Sequence, residues 1–216
     1  MLRRLLLGRR CVLCRTPLEL EAAEKTMLCR ACAVKVRRDY RCSHGKAVDY
    51  CARTDAALFY KNEIRRAMVW VKFYHHTGAL RWFAEQTAAR LLADLDDWNP
   101  DLITFVPVSP LRKWTRGFDQ SEVIARRCAV LTGLPCEKLL RRRFFSRRQS
   151  RMSSKGERRE NAARAFLPMQ GKDLRGKRVV LIDDILTSGA SASACARLLL
   201  QMGADEVCLL TATRVP

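Results

Sequence analysis

The stretch Val179-Val180-Leu181-Ile182-Asp183-Asp184-Ile185-Leu186-Thr187-Ser188-Gly189-Ala190-Ser191 decides how the chain is read. Four aliphatic residues in a row read as a buried strand that ends in two adjacent carboxylates. A loop of hydroxyls and glycine follows. Ser191 then caps a helix over Ala192 to Met202, ended by Gly203. Val207-Cys208-Leu209-Leu210 is the next strand. Strand, helix and strand within about 30 residues make a βαβ unit, hence a parallel sheet covered on both faces. Phosphate binds at such loop–helix junctions, because free backbone N–H groups and the helix dipole point at it. Thr187, Ser188 and Ser191 add hydroxyl donors, and Gly189 lets the backbone approach closely. Asp183 and Asp184 suit the hydroxyls of a sugar carried on that phosphate, at the strand ends where such folds bind ligands.

Upstream, the pattern remains α/β. Residues 55–60 read as a short strand, and Asn62 caps a helix from Glu63 to Phe73. A second helix runs from about Leu80 to Leu95, and Leu102 to Val106 form a buried strand stopped by Pro107. Asp119-Gln120-Ser121-Glu122 has capping-box spacing and opens a helix to about Leu131, closed near Gly133. Adjacent His75 and His76 point apart on a helix and read as surface residues.

The chain has 216 residues, of which 48% are apolar and 29% charged. That composition is globular and excludes a disordered or collagenous chain. No apolar run approaches the roughly 18 residues that cross a bilayer, so no membrane insertion is expected. Met1 to Arg10 lacks a secretory h-region and cleavage site, and a cytoplasmic protein is expected. The net charge is +19, and residues 1–53 and 141–164 carry +8 each. Charge so concentrated points to a polyanion, either nucleic acid or a pyrophosphate-bearing ligand. In the second segment Phe144 and Phe145 lie among Arg141, Arg142, Arg143, Arg147 and Arg148. Guanidinium groups contact phosphates and aromatic faces stack on bases. The same two phenylalanines also suit a loop that tucks them into the core.

The chain holds ten cysteines, and the expected cytoplasmic setting favours metal over disulfides. Cys11-x-x-Cys14 and Cys29-x-x-Cys32 have the spacing of two zinc knuckles, four thiolates for one tetrahedral structural ion. Cys42, His44 and Cys51 are irregularly spaced and lack a fourth ligand; a second site, or replacement of a ligand in the first, both stay open. Residues 1–53 therefore read as a Cys-rich zinc module and 54–216 as the α/β core.

The segment 179–191 resembles the PRPP-binding motif of type I phosphoribosyltransferases. The resemblance implies that Asp183 and Asp184 hold the ribose hydroxyls and that Thr187, Ser188, Gly189, Ala190 and Ser191 cradle the 5-phosphate. Val106-Pro107, Arg116-Gly117-Phe118-Asp119-Gln120 and Arg158-Arg159-x-Asn161 with Ala165-Phe166, taken with the cysteines, are similar to the ComF family of competence-associated proteins. Asp119 departs from that family, which usually has Asn there. By the phosphoribosyltransferase template, the loop Val108 to Arg116 binds pyrophosphate through Arg112 and Arg116, with Lys72 at a family lysine position. The implied function is handling of single-stranded DNA in natural transformation, with PRPP as ligand and a competence helicase among the partners. Two alternatives remain: a working phosphoribosyltransferase, transferring ribose 5-phosphate from PRPP and Mg²⁺ to a base, or a PRPP-sensing protein without chemistry.

Overall fold

The computed structural model describes residues 10–18, 26–42, 45–74, 77–143 and 164–216. His44, His75, His76 and the run 144–163, with Phe144, Arg147 and Arg148, lie outside the described residues.

In chain order the elements are α1 (Arg30–Lys35), continued by a π-helical turn Val36–Tyr40, then β1 (Arg53–Phe59), α2 (Asn62–Tyr74) and α3 (Thr77–Trp98). They continue as β2 (Leu102–Phe105), α4 (Pro110–Arg116), α5 (Gln120–Thr132), β3 (Leu140–Arg142) and β4 (Phe166–Pro168). The chain closes with β5 (Arg178–Leu186), α6 (Ala190–Gln201) and β6 (Glu206–Arg214).

Four of the strands form a parallel sheet in the order β1-β6-β5-β2. The central pair, β5 and β6, is covered on both faces, which is why their sequences run aliphatic rather than alternating. Side chains still alternate in direction. Val180, Ile182, Cys208 and Leu210 join α2, α3 and α5 through Ile64, Met68, Phe83 and Ile124. Val179, Leu181, Val207 and Leu209 join α6 through Cys195 and Leu199, and the β3–β4 ribbon through Leu140 and Phe166. Both sheet edges are blunted by single bridges, Arg41 to Leu58 outside β1 and Cys136 to Ile103 outside β2.

The cysteine module has no separate core. Cys11, Val12, Leu13, Leu28, Val36 and Tyr40 are buried in the same apolar cluster as α2 and α3. It is fastened at its rim as well: Tyr40 donates to Glu63 at the start of α2, Lys35 Nζ lies 3.2 Å from Glu63 Oε1, and the Arg15 guanidinium sits 5.6 Å from the Trp70 ring centroid. Tyr40 is the main reason the Glu63 carboxyl is held down at about 2.

Several boundaries differ from the expectation. The first is at β5, which does not end at the acids. It runs through Asp183 and Asp184 to Leu186, because β6 continues alongside and pairs Asp183 with Thr211 and Ile185 with Thr213. Ser191 is not the helix cap either. Gly189, at φ 77°, makes the turn and α6 starts at Ala190 with no side-chain cap. The presumed loop 108–116 contains a helix, α4, started by Ser109 and Pro110 and ended by Gly117 at φ 74°. Finally, the basic segment is not loop throughout, since Arg141 and Arg142 belong to β3 and pair with β4. Among the described residues no helix is long and apolar enough to cross a membrane.

Candidate functional site

The C-terminal end of β5 gathers residues from four elements. The two acids meet different partners, one from α2 and one from α5. Asp184 Oδ2 lies 2.7 Å from Lys72 Nζ in the last turn of α2. Asp183 Oδ1 accepts from Ser121 Oγ of α5 at 3.0 Å and from the Asp184 amide at 2.8 Å. Burial, with the Asp184 charge beside it, pushes the Asp183 carboxyl up to about 7. Both acids are half-buried rather than standing at an open strand end.

Beyond them the chain makes the turn Thr187-Ser188-Gly189. Thr187 and Ser188 are exposed, Ser191 is half-buried, and Ser188 Oγ accepts only a long 3.5 Å bond from the Ala190 amide. With no side-chain cap on α6, the first-turn amides keep their donor capacity. Gly189 is required twice over. Its φ is positive, and a Cβ there would stand 3.0 Å from the Val48 side chain.

Cations surround this end of the strand. Arg116 is half-buried, its guanidinium 5.9 Å from the Phe73 ring centroid and its Nη1 donating to Gln120 Oε1 at 3.4 Å. Burial, and then the nearby Arg112 charge, lower the Arg116 pKa, while Asp184 acts in the opposite sense. Arg142 behaves alike, half-buried over the Phe166 ring at 5.1 Å and sensing Arg112 and Asp183. Lys72, Arg112, Arg116 and Arg142 therefore exceed the two acids, and the surplus suits an anion larger than one carboxylate. Arg112 is exposed, as are Arg141 and Arg143 on the ribbon.

Two supporting residues carry no ligand-type signal. Asp119, buried, caps α5 through the Ser121 and Glu122 amides and also accepts from the Val108 amide at 2.9 Å. It ties the chain entering α4 to α5 and so sets where Arg112 and Arg116 stand. Ser121 aims Asp183. The capping pattern identifies Asp119 as a helix start, but nothing local reveals either long-range bond.

The metal site is separate. The Sγ atoms of Cys11, Cys14, Cys29 and Cys32 lie within 4.8 Å of one another, and Cys14 and Cys29 are 3.6 Å apart. At a Zn–S distance of about 2.3 Å a tetrahedral edge is about 3.8 Å, so the set can hold a metal ion such as zinc. The first pair sits on a turn closed by the Cys11 amide to Thr16 and the Arg15 amide to Cys11; the second opens α1. Cys42 and Cys51 do not join this cluster, the one metal-capable group of three or more side chains among the described residues. Burial pushes the Cys51 thiol up to about 12.

No protein-family model matches the chain. Competence protein F of Haemophilus influenzae is 25% identical over 218 residues, 92% of this chain and 93% of that protein. The chain is thus similar to competence protein F along nearly its whole length. DNA utilization protein YhgH of Escherichia coli O157:H7 is 35% identical over 114 residues, 50% of this chain, and the match spans about half of that relative, 47%. Among solved structures, glutamine PRPP amidotransferase from B. subtilis, complexed with ADP and GMP, superposes with a TM-score of 0.41 at 25% identity, covering 60% of this chain and 26% of that one.

Proposed function

We propose that this is a cytoplasmic DNA-handling protein of natural transformation whose α/β core binds PRPP at the C-terminal end of β5. The observation that carries the ligand is the pairing of Asp183 and Asp184 with an uncapped loop–helix junction inside a ring of four cations. In this reading the acids accept the ribose hydroxyls, residues 187–191 hold the 5-phosphate, and Arg112, Arg116 and Lys72 face the pyrophosphate with its Mg²⁺. Lys72 must then exchange Asp184 for the ligand. The cysteine cluster holds a structural zinc ion, and the segment 141–148 contacts single-stranded DNA through its arginines and Phe144. The competence-named relative supports the cellular role and extends the expectation to a competence helicase as partner.

The test is calorimetric titration with Mg–PRPP. Asp183→Asn with Asp184→Asn removes two charged acceptors, each worth about 1.5–3 kcal/mol. Affinity should drop at least a hundredfold while thermal unfolding shifts little. Undiminished affinity in this variant overturns the assignment.

A second reading, transfer of the ribose phosphate to a base, draws on one feature. Phe73 is 66% exposed beside Lys72, with Arg116 on its ring, and offers a planar apolar face next to the pocket. Release of pyrophosphate from PRPP in the presence of nucleobases distinguishes it from binding alone.

A further inference from the structure

We propose that the groove between the cysteine module and α3 is a track for the phosphate backbone of a single-stranded nucleic acid. It lies outside every residue assigned above and rests on the DNA-handling reading.

The groove has a volume of about 450 Å³. Arg37 and Arg41 line it from the module, four residues apart across the π-helical turn, and Arg81 lines it from α3. All three are exposed, and buried Val36 and Trp82 lie beneath them. The lining has one carboxylate among the described residues, Glu85, and it is already claimed. Arg127 holds Glu85 Oε1 through Nε at 2.9 Å and Nη2 at 2.6 Å, leaving Arg81 at 3.7 Å from the same atom. Arg37 makes no ion pair among the described residues, and Arg41 only donates at 3.4 Å to Gln86 Oε1. Three guanidiniums thus face a concave surface whose one carboxylate among the described residues, Glu85, is neutralised from behind by Arg127.

A concave wall of one sign over a low-dielectric floor concentrates field and attracts an extended polyanion. Arginine clusters of this kind suit phosphate, which they hold bidentately. A single strand can lay its phosphates against these arginines and rest sugar or base on the apolar floor.

The full-length metal-loaded protein is titrated into a fluorescent, unstructured oligothymidine. Arg37→Glu, Arg41→Glu and Arg81→Glu together are compared with Lys138→Glu, Lys172→Glu and Arg175→Glu, which change net charge equally outside the groove. The groove variant should lose at least tenfold affinity, and its log–log salt slope should flatten by about two, at about 0.7 per phosphate. The control should lose less than threefold, and both should keep their metal and PRPP affinity. Arg37→Gln with Arg41→Gln repeats the comparison without charge reversal should the triple variant misfold. Equal losses in groove variant and control overturn the groove and leave diffuse attraction. Displacement of the oligonucleotide by polyglutamate at equal charge concentration overturns the nucleic-acid assignment. A wild-type protein that binds no oligothymidine overturns the DNA reading itself, and the groove with it.

Discussion

The end of β5 and the module groove both carry more cations than anions, yet they hold them differently. At β5 the charges are interlocked. Lys72 is paired with Asp184, Arg116 lies half-buried on Phe73, and Arg142 on Phe166. In the groove the arginines are exposed, and among the described residues Arg41 and Arg81 have weak partners. Interlocked charges are pre-oriented and discriminate by geometry, at the cost of exchanging internal partners when ligand arrives. Exposed arginines discriminate little and respond to charge density and salt. On the proposed reading, the contrast separates a small, stereochemically defined ligand from a long, repetitive one.

The largest expected effect comes from breaking the scaffold of one region only. Cys29→Ser removes one of four thiolates, and elemental analysis should find the protein without zinc. Because the module shares its apolar cluster with α2 and α3, the midpoint of thermal unfolding should fall, while far-ultraviolet dichroism still reports a folded sheet. Oligonucleotide affinity should collapse with the displacement of Arg37 and Arg41, and PRPP affinity should drop less. Full zinc content in this variant would remove the cysteine cluster as the metal site.

A smaller effect sharpens the β5 side. The Asp183 carboxyl is held up at about 7, so between the ordinary carboxylate range and pH 7 the native state keeps a proton the unfolded chain has lost. Stability from this group therefore declines as pH rises through that window, and a ligand that needs the anion must expel the proton below it. Mg–PRPP affinity, corrected for titration of its own phosphates, should rise about tenfold from pH 6 to pH 8, since the ionised fraction of a group titrating at about 7 rises from about a tenth to about nine tenths. Binding heats should depend on the buffer's ionisation enthalpy at pH 6 and not at pH 8. A flat profile would mean that Asp183 does not act as an ionised acceptor. Groove-dependent oligonucleotide binding, resting on arginine, should be insensitive over the same range.

The smallest effect probes the seam. Tyr40→Phe deletes the hydroxyl that donates to Glu63, and should cost about 1.5 kcal/mol, as for hydrogen bonds to charged groups. The wild-type contribution is complete above the usual glutamate pKa of 4.5 and is lost as pH falls toward about 2. The two proteins should converge in stability as the solution is acidified through that interval. A constant difference down to pH 2 would assign the loss to packing rather than to the hydrogen bond.

The βαβ unit was legible because burial on both faces demands unbroken aliphatic runs, and those runs survive in β5 and β6. The end of β5 was not legible. Main-chain pairing with Thr211 and Thr213 carries it past the two carboxylates that read as its end, and backbone hydrogen bonds are indifferent to that chemistry. α4 carries a visible signature in Ser109, Pro110 and Gly117, but its basic run has no apolar period, and by the phosphoribosyltransferase template the stretch is a loop. The four cysteines were legible from spacing alone. The bonds Ser121 to Asp183 and Tyr40 to Glu63 span 62 and 23 residues, and no local pattern encodes them.

The two ends of α2 carry opposite attachments. Glu63 in its first turn is gripped by Tyr40 and Lys35 of the module, and Lys72 in its last turn is gripped by Asp184. Nine residues at about 1.5 Å of rise set these anchors roughly 14 Å apart along one stiff rod. A ribose that takes Asp184 for itself unfastens the far end of that rod, leaving an ammonium that the negative pole of the helix still accommodates. On the PRPP reading, α2 thus links the cysteine cluster to the acids at the end of β5, with its far anchor released by the ligand and its near anchor kept by the module.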